Sequence, residues 1–451
     1  MAFSKVRRTA RELALDRAVR YLAKDPEKNL MVLLDFAERV AFDQEQKRKI
    51  RLLREHFKDN PQVQEQAVRL SKNPEMLSKF MINWVGNNML DGQRKRVEKA
   101  EELGVGVPSL ILMDPTAACN LNCTGCWAQS YDKADKLEPE LFDRILREAK
   151  ELGIYWIVLS GGEPFAYPHL MDIVERHQDM AFMAYTNGTL IDDETARRMG
   201  KVANLSPAFS LEGWKDSTDA RRGQGTFDKV REAMARLREN GVYFGVSVTA
   251  TRENVDEIFS DEFVDWLVDE GAVYMWSFHY VPVGHNPELN LMLTPDQRAE
   301  LKTKVERLRS ENPILVADFW NDGEATQGCI AGGRIYFHIN AAGEIEPCAF
   351  AHFATDNIRD ISLEEALQNP LFKEMQKRQP FNDNHLIPCP IIDNPHMLRD
   401  AVKESGAHPT DPGAENLMKG EVASFLDDLS ARWQKKADEI QNKKRQRSAS
   451  K

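Results

Sequence analysis

The chain has 451 residues, 42% of them hydrophobic and 29% charged, with a formal net charge of −11. That length exceeds a single compact core and points to two or three structural units. The acidic balance excludes a general nucleic-acid binder, which gains affinity from cations released off phosphates. Six cysteines are too few for a secreted disulfide scaffold. With no signal peptide and no apolar run of the ~20 residues that cross a bilayer, a soluble, cytoplasmic protein is expected.

Residues 1–105 read as helices only, with apolar residues at helical spacing in LMVLLDFAERVAF and MLSKFMINWVGNNML, and with Asn-Pro at 60–61 and 73–74 separating helices. The first 24 residues carry seven Lys or Arg (Lys5, Arg7, Arg8, Arg11, Arg17, Arg20, Lys24), interleaved with Phe3, Val6, Leu13, Leu15, Val19 and Leu22. This is the composition of a surface helix with a solvated basic face, or of an interfacial helix in peripheral contact with anionic membrane lipid.

From Pro108 short β-rich runs alternate with amphipathic helices. The strand candidates are SLILMD, IYWIVLS, MAFMAYTNG, ANLSPAFSLEG, VYFGVSVTA and AVYMWSFHYVPV. They predict an α/β core over 106–310, a parallel sheet curved into a partial (β/α)6 TIM-like barrel. Chemistry in such folds sits at the C-terminal ends of the strands, where CNLNCTGC, Gly-Gly-Glu-Pro and Thr-Asn-Gly all fall. Residues 311–400 read as a small α+β extension, with RIYFHINAAGEIEPC a hairpin turning at Gly343. Over 401–451, a closing helix is expected across 414–442, then a disordered basic tail, NKKRQRSASK.

CNLNCTGCWAQ places Cys119, Cys123 and Cys126 within eight residues. Structural zinc takes four ligands and a disulfide two. A [4Fe–4S] cube held by three thiolates keeps one iron open to a small molecule, as catalytic zinc keeps an open position. The spacing alone leaves zinc and redox alternatives open. Together, CNLNCTGC after the first strand and SGGEP after the second resemble the radical S-adenosylmethionine (SAM) superfamily, over about residues 108–285 with a weaker extension to 392. The resemblance implies an enzyme whose open iron chelates the amino and carboxylate groups of SAM. Reductive cleavage there gives methionine and a 5′-deoxyadenosyl radical that removes a hydrogen atom from substrate.

The same resemblance makes Cys119, Cys123 and Cys126 the cluster ligands. It has Gly161 and Gly162 admit close backbone approach, Glu163 with its neighbouring carbonyls meet the SAM ammonium, and Pro164 rigidify the turn. Thr186, Asn187 and Gly188 stand where the family often lines the SAM pocket, or form an ordinary Asn-Gly turn. Ser210 and Glu212 match the family's Ser-x-Asp/Glu, whose acid accepts from ribose hydroxyls. Arg222 matches an arginine that grips the methionine carboxylate, or else forms an ion pair. Ser247 and Thr249 read as structural. The chain departs from the pattern at Gly125, where many members place an aromatic residue that helps hold adenine. Trp127 or Tyr131 is then expected to cover the site.

Cys329, Cys348 and Cys389 resemble the opening of the family's SPASM or twitch extension and support at most one auxiliary [4Fe–4S] cluster, its fourth ligand not visible. Buried structural thiols or a small zinc site are the alternative. Trp276, His279, Tyr280, His285, Asp318, Phe319, Trp320 and Asn321 are candidates for a substrate pocket, with His279 and Tyr280 placed to handle protons. A lone histidine is more often a satisfied core residue, as is expected of His338 and His352. Peptide-modifying members often carry a β-rich leader reader, which the helical N-terminal region does not resemble. The Cys-x-Gly-Cys ending is similar to lipid-modifying members, so a lipid or other hydrophobic small molecule is the expected substrate. A peptide- or protein-modifying maturase is the alternative, and a non-catalytic iron–sulfur or zinc protein a second one. A reductant such as flavodoxin or ferredoxin is the implied partner.

Overall fold

The computed structural model describes residues 2–40, 44–284 and 287–449, so His285 lies outside the described residues. Strands β1 (Leu110–Met113), β2 (Trp156–Leu159), β3 (Ala181–Thr186), β4 (Leu205–Leu211), β5 (Gly245–Ala250), β6 (Tyr274–His279) and β7 (Leu315–Asp318) lie side by side in chain order, all parallel. Six such strands are expected from sequence; the seventh, beyond residue 310, adds to the free edge of β6. At the opposite edge β1 pairs in parallel with β8 (His338–Ile339), which turns back through Gly343 (φ 89°) into antiparallel β9 (Ile345–Glu346). The extension and the partial barrel therefore share one sheet.

Alternation along each strand sorts the side chains into two layers. Ile111, Met113, Ile157 and Leu159 pack outward beneath the helices, while Leu112, Val158 and Met183 face the interior with Tyr185, Tyr274 and Trp276. Helix Pro139–Leu152 shows how the outer layer forms. Proline stands at its first turn, Phe142, Ile145, Leu146, Ala149 and Leu152 are buried at helical spacing, and Gly153 ends it at φ 85°. Each large side chain removed from water there contributes about 1.5–3 kcal/mol.

The N-terminal region is helical, as expected: α1 (Ala2–Leu22), α2 (Pro26–Val40), α3 (Gln44–Asp59), α4 (Pro61–Ser71), α5 (Pro74–Phe80), a π-helix over Met81–Gly92, and α6 (Gln93–Leu103). Its polar side chains satisfy the backbone where strands begin. Asn83 Nδ2 donates to Met180 O (2.8 Å) ahead of β3, Asn88 Oδ1 accepts from Tyr155 N (3.1 Å) ahead of β2, and Gln66 Nε2 donates to Val273 O (3.0 Å) ahead of β6. These helices thus close the end of the barrel opposite the cysteine loop and do not border its mouth. At the other terminus residues 442–449 of the basic tail, expected to be disordered, continue helix Gly420–Ala449. That helix is anchored by buried Trp433, whose Nε1 donates to Leu386 O (3.1 Å) and whose ring lies under Arg298 (4.2 Å).

Candidate functional site

The cysteine loop and the Gly-Gly-Glu-Pro turn emerge from adjacent strands and are stitched together by backbone. Gly162 N donates to Thr116 O (2.9 Å) and Glu163 N to Ala118 O (2.8 Å). A side chain at 162 would stand 2.1 Å from Ala118 O, which only glycine avoids. Gly161 takes φ 101° with Thr116 O 2.6 Å from its would-be Cβ. Cys119 Sγ accepts from Leu121 N (3.5 Å) and lies 3.9 Å from Asn187 Nδ2.

Burial pushes the Cys119 and Cys123 thiols up, and the charges of their fellow loop thiols add to it; Arg222 and Arg221 pull Cys123 back. Among the described residues no three His, Cys, Asp or Glu converge as ligands of a single ion. Thiolates at the corners of a cube each bind their own iron and do not require that convergence. The donor set and the glycine cradle fit such a cluster.

Glu163 is buried, and its carboxylate is already committed. Oε1 accepts from Thr186 Oγ1 (2.7 Å) and Phe165 N (3.0 Å), and Oε2 from Asn187 N (2.7 Å). Burial raises its pKa and these donors hold it down in part. Glu163, expected with its neighbouring carbonyls to meet a ligand ammonium, here braces Thr186 and Asn187 at the end of β3. The Pro164 turn continues as a short 3₁₀ segment, Pro164–Ala166.

Glu212 and Arg222, expected to hold different parts of one ligand, hold each other. Arg222 Nε donates to Glu212 Oε1 (2.8 Å), and Arg221 Nη1 stands in ionic contact with Oε2 at 2.7 Å, without hydrogen-bond alignment. Two guanidiniums on one carboxylate leave one positive charge beside Cys123. Ser210, in register with Ser247, lies on the inner face of the sheet.

The departure at Gly125 is filled from elsewhere in the fold. Gly125 takes φ 65°, and the Tyr280 ring occupies the space its side chain would need, with Cε2 2.9 Å from the would-be Cβ. The residues expected to cover the site point elsewhere. Tyr131 is buried with its hydroxyl donating to Glu346 (3.0 Å), and Trp127 packs edge-on to His338 (5.8 Å), Phe350 (6.1 Å) and Tyr131 (6.2 Å). Sequence reading did not find Tyr280 in this role, because no local signal links it to position 125.

Under Trp127 lies a buried ionic network. His338 stands between Asp114 (3.0 Å, Nε2) and Glu346 (2.7 Å, Nδ1), and Glu346 also accepts from Asn340 (2.9 Å) and Thr410 (2.5 Å). Burial opposes the imidazolium charge, yet Asp114 and Glu346 outweigh it and raise His338 to about 10. His338 and His352 are thus satisfied interior residues, as expected; His352 bonds Asp411 and Ala349 O.

Cys329, Cys348 and Cys389 border the second apolar core. Burial raises all three, Cys329 to about 12. Cys348 Sγ accepts from Tyr336 Oη (3.1 Å) and Phe350 N (3.5 Å). Phe350 therefore joins the two thiol sets: its amide touches Cys348, and its ring meets Trp127, the neighbour of Cys126.

Of the expected pocket residues, Trp276 and Phe319 lie on the inner face, stacked at 5.2 Å, and Phe278 stacks on Phe319 at 4.7 Å. His279 faces outward against Trp320 (5.0 Å) and 3.6 Å from Asp318, which bonds Asn321 (2.6 Å). The structure thus does not bring His279, Asp318 or Asn321 to the inner wall.

Comparison with known proteins agrees with this geometry. The radical SAM superfamily description matches residues 113–261, and the SPASM iron–sulfur cluster-binding domain matches residues 329–390. The AdoMet-dependent heme synthase of Methanosarcina barkeri is 25% identical over 291 residues (58% of this chain, 82% of the relative). The mycofactocin maturase MftC of Mycobacterium tuberculosis is 29% identical over 299 residues (62% and 75%), and the PqqA peptide cyclase of Streptomyces rochei 28% over 294 residues (62% and 78%). The fold is that of Streptococcus suis SuiB, solved bound to S-adenosylmethionine, at a TM-score of 0.56 and 18% identity (72% of this chain, 87% of that one). The chain carries a radical SAM superfamily domain and, beside it, a SPASM iron–sulfur cluster-binding domain, which mark an enzyme whose cofactors are [4Fe–4S] clusters and SAM.

Proposed function

We propose that the protein is a peptide- or protein-modifying radical SAM maturase. The observation that carries this reading is the ring contact of Trp127 with Phe350, which links the loops of two thiol sets beside an aromatic inner wall. A substrate segment held against that wall lies near both sets. Relatives named for peptide maturation support it. The lipid substrate expected from sequence finds no counterpart among them, and the N-terminal helices do not border the mouth where an acyl chain would enter.

In this reading Cys119, Cys123 and Cys126 hold the SAM cluster, and Cys329, Cys348 and Cys389 the auxiliary one. When bound, the cluster and SAM supply the one-electron cleavage whose radical removes a hydrogen atom from substrate. The carbonyls of the Gly161–Glu163 turn accept from the SAM ammonium, and Pro164 fixes that turn. Thr186 and Asn187 are held in place by Glu163. Ser210 faces the ribose, and the charge that Glu212 leaves uncompensated on Arg221 and Arg222 receives the methionine carboxylate. Tyr280 closes the adenine side. A flavodoxin or ferredoxin serves as reductant, and a cytoplasmic location suits six free thiols.

Deuterium transfer tests the substrate class. Reconstituted enzyme is given SAM, reductant and separately deuterated peptide, lipid or tetrapyrrole fractions. Deuterium in 5′-deoxyadenosine from the peptide fraction is expected; transfer only from the lipid or tetrapyrrole fraction overturns the reading.

A further inference from the structure

We infer that α1 and α2 form a docking surface for an anionic lipid bilayer. In a chain of net charge −11, residues 1–24 hold seven basic side chains against two acidic ones, Glu12 and Asp16. The exposed positions of this segment fall at helical spacing on one stripe: Ala10, Leu13, Ala14, Arg17, Arg20, Tyr21 and Lys24. On α2, Lys28, Val32 and Phe36 follow at four-residue spacing, with Arg39 also exposed.

Four large apolar residues on these stripes face water: Leu13 at 54%, Tyr21 at 40%, Val32 at 44% and Phe36 at 63% exposure. Three of the acidic side chains are paired. Asp16 accepts from Ser78 (2.8 Å) as well as Arg20 (2.9 Å), while Asp35 and Glu38 engage Arg54 of α3 at 2.7 and 2.9 Å. Asp25 and Glu27, in and beside the turn between the two helices, are the exposed exceptions.

Mixed cationic and apolar stripes complement a surface of phosphate headgroups over acyl chains. The basic groups meet phosphates, and Leu13, Tyr21, Val32 and Phe36 enter the headgroup boundary. The surface anchors the enzyme and is independent of what the mouth accepts.

Co-sedimentation of the full chain with vesicles tests this, comparing phosphatidylcholine alone with phosphatidylcholine plus phosphatidylglycerol at about 0.1 M salt, where charges still act over ~10 Å. Binding is expected to the anionic vesicles and to fall at high salt. Pairing Arg17→Glu with Lys24→Glu, and separately Val32→Ser with Phe36→Ser, is expected to lower the bound fraction about tenfold with unchanged circular dichroism and melting temperature. Equal binding to both vesicle types, or variants that bind like wild type, overturns the proposal. So does saturable binding of soluble polyglutamate without vesicle binding, which assigns the stripes to an acidic protein.

Discussion

The ring of Tyr280 lies against Gly125, its Cε2 2.9 Å from where a Cβ at that position would stand. An aromatic ring from the end of β6 thus occupies the space next to the third loop thiol, where the family resemblance implies an aromatic residue at position 125 itself. Gly125→Ala must both displace that ring and adopt φ 65°, at about 1–3 kcal/mol. Urea unfolding of the variant is expected to show that loss, and calorimetry of the reconstituted enzyme a weaker affinity for SAM. Tyr280→Phe keeps the ring and loses only the bond from Glu288 N (2.9 Å), so it stays near wild type. Equal damage from both variants contradicts a role for the ring.

Glu212 is 1% exposed and carries two guanidiniums. Removing one partner of a buried ion pair strands the other, at about 3–5 kcal/mol. Glu212→Gln is therefore expected to unfold at markedly lower denaturant than Arg221→Gln, which leaves the Arg222–Glu212 pair intact. A loss of under ~1 kcal/mol for Glu212→Gln contradicts the account.

The Gly162 cradle has its own readout. With Ala118 O 2.1 Å from its would-be Cβ, Gly162→Ala separates the Gly-Gly-Glu-Pro turn from the thiol loop. Iron per chain after reconstitution should drop by about four, one cube, while the Cys329–Cys348–Cys389 set still loads. Unchanged iron content shows that the loop tolerates the shift.

His338 links stability to pH. Its pKa is raised to about 10, so the stabilisation it contributes is complete below the ordinary histidine value of about 6.5 and fades as pH climbs through the raised one. The metal-free protein should lose melting temperature between neutral pH and pH about 10, and His338→Gln should flatten that slope while lowering the plateau. A wild-type curve that rises over this range rules the imidazolium out.

Much of this arrangement is legible in the sequence because it is local. The thiol spacing, the Gly-Gly-Glu-Pro turn and the alternation of strands and helices each lie within a few residues of chain, and their shared position at strand ends follows from the βα register. What escapes is pairing at long range. Tyr280 meets Gly125 from 155 positions further along the chain, Glu163 turns inward onto Thr186 and Asn187, and Glu212 takes Arg221 and Arg222 for itself. The β8–β9 hairpin is legible but its addition to the edge of β1 is not, and β7 is recruited only by the free edge of β6. The burial of His279 outward rather than inward depends on one residue of strand register, which composition does not fix.

The most direct test is product analysis of the anaerobically reconstituted enzyme with SAM and dithionite. Equal amounts of 5′-deoxyadenosine and methionine are expected, lost in Cys123→Ala and retained in a Cys329→Ala, Cys348→Ala, Cys389→Ala triple variant even when substrate modification fails. Intact SAM after prolonged reduction, in protein shown to hold its iron, would contradict that expectation.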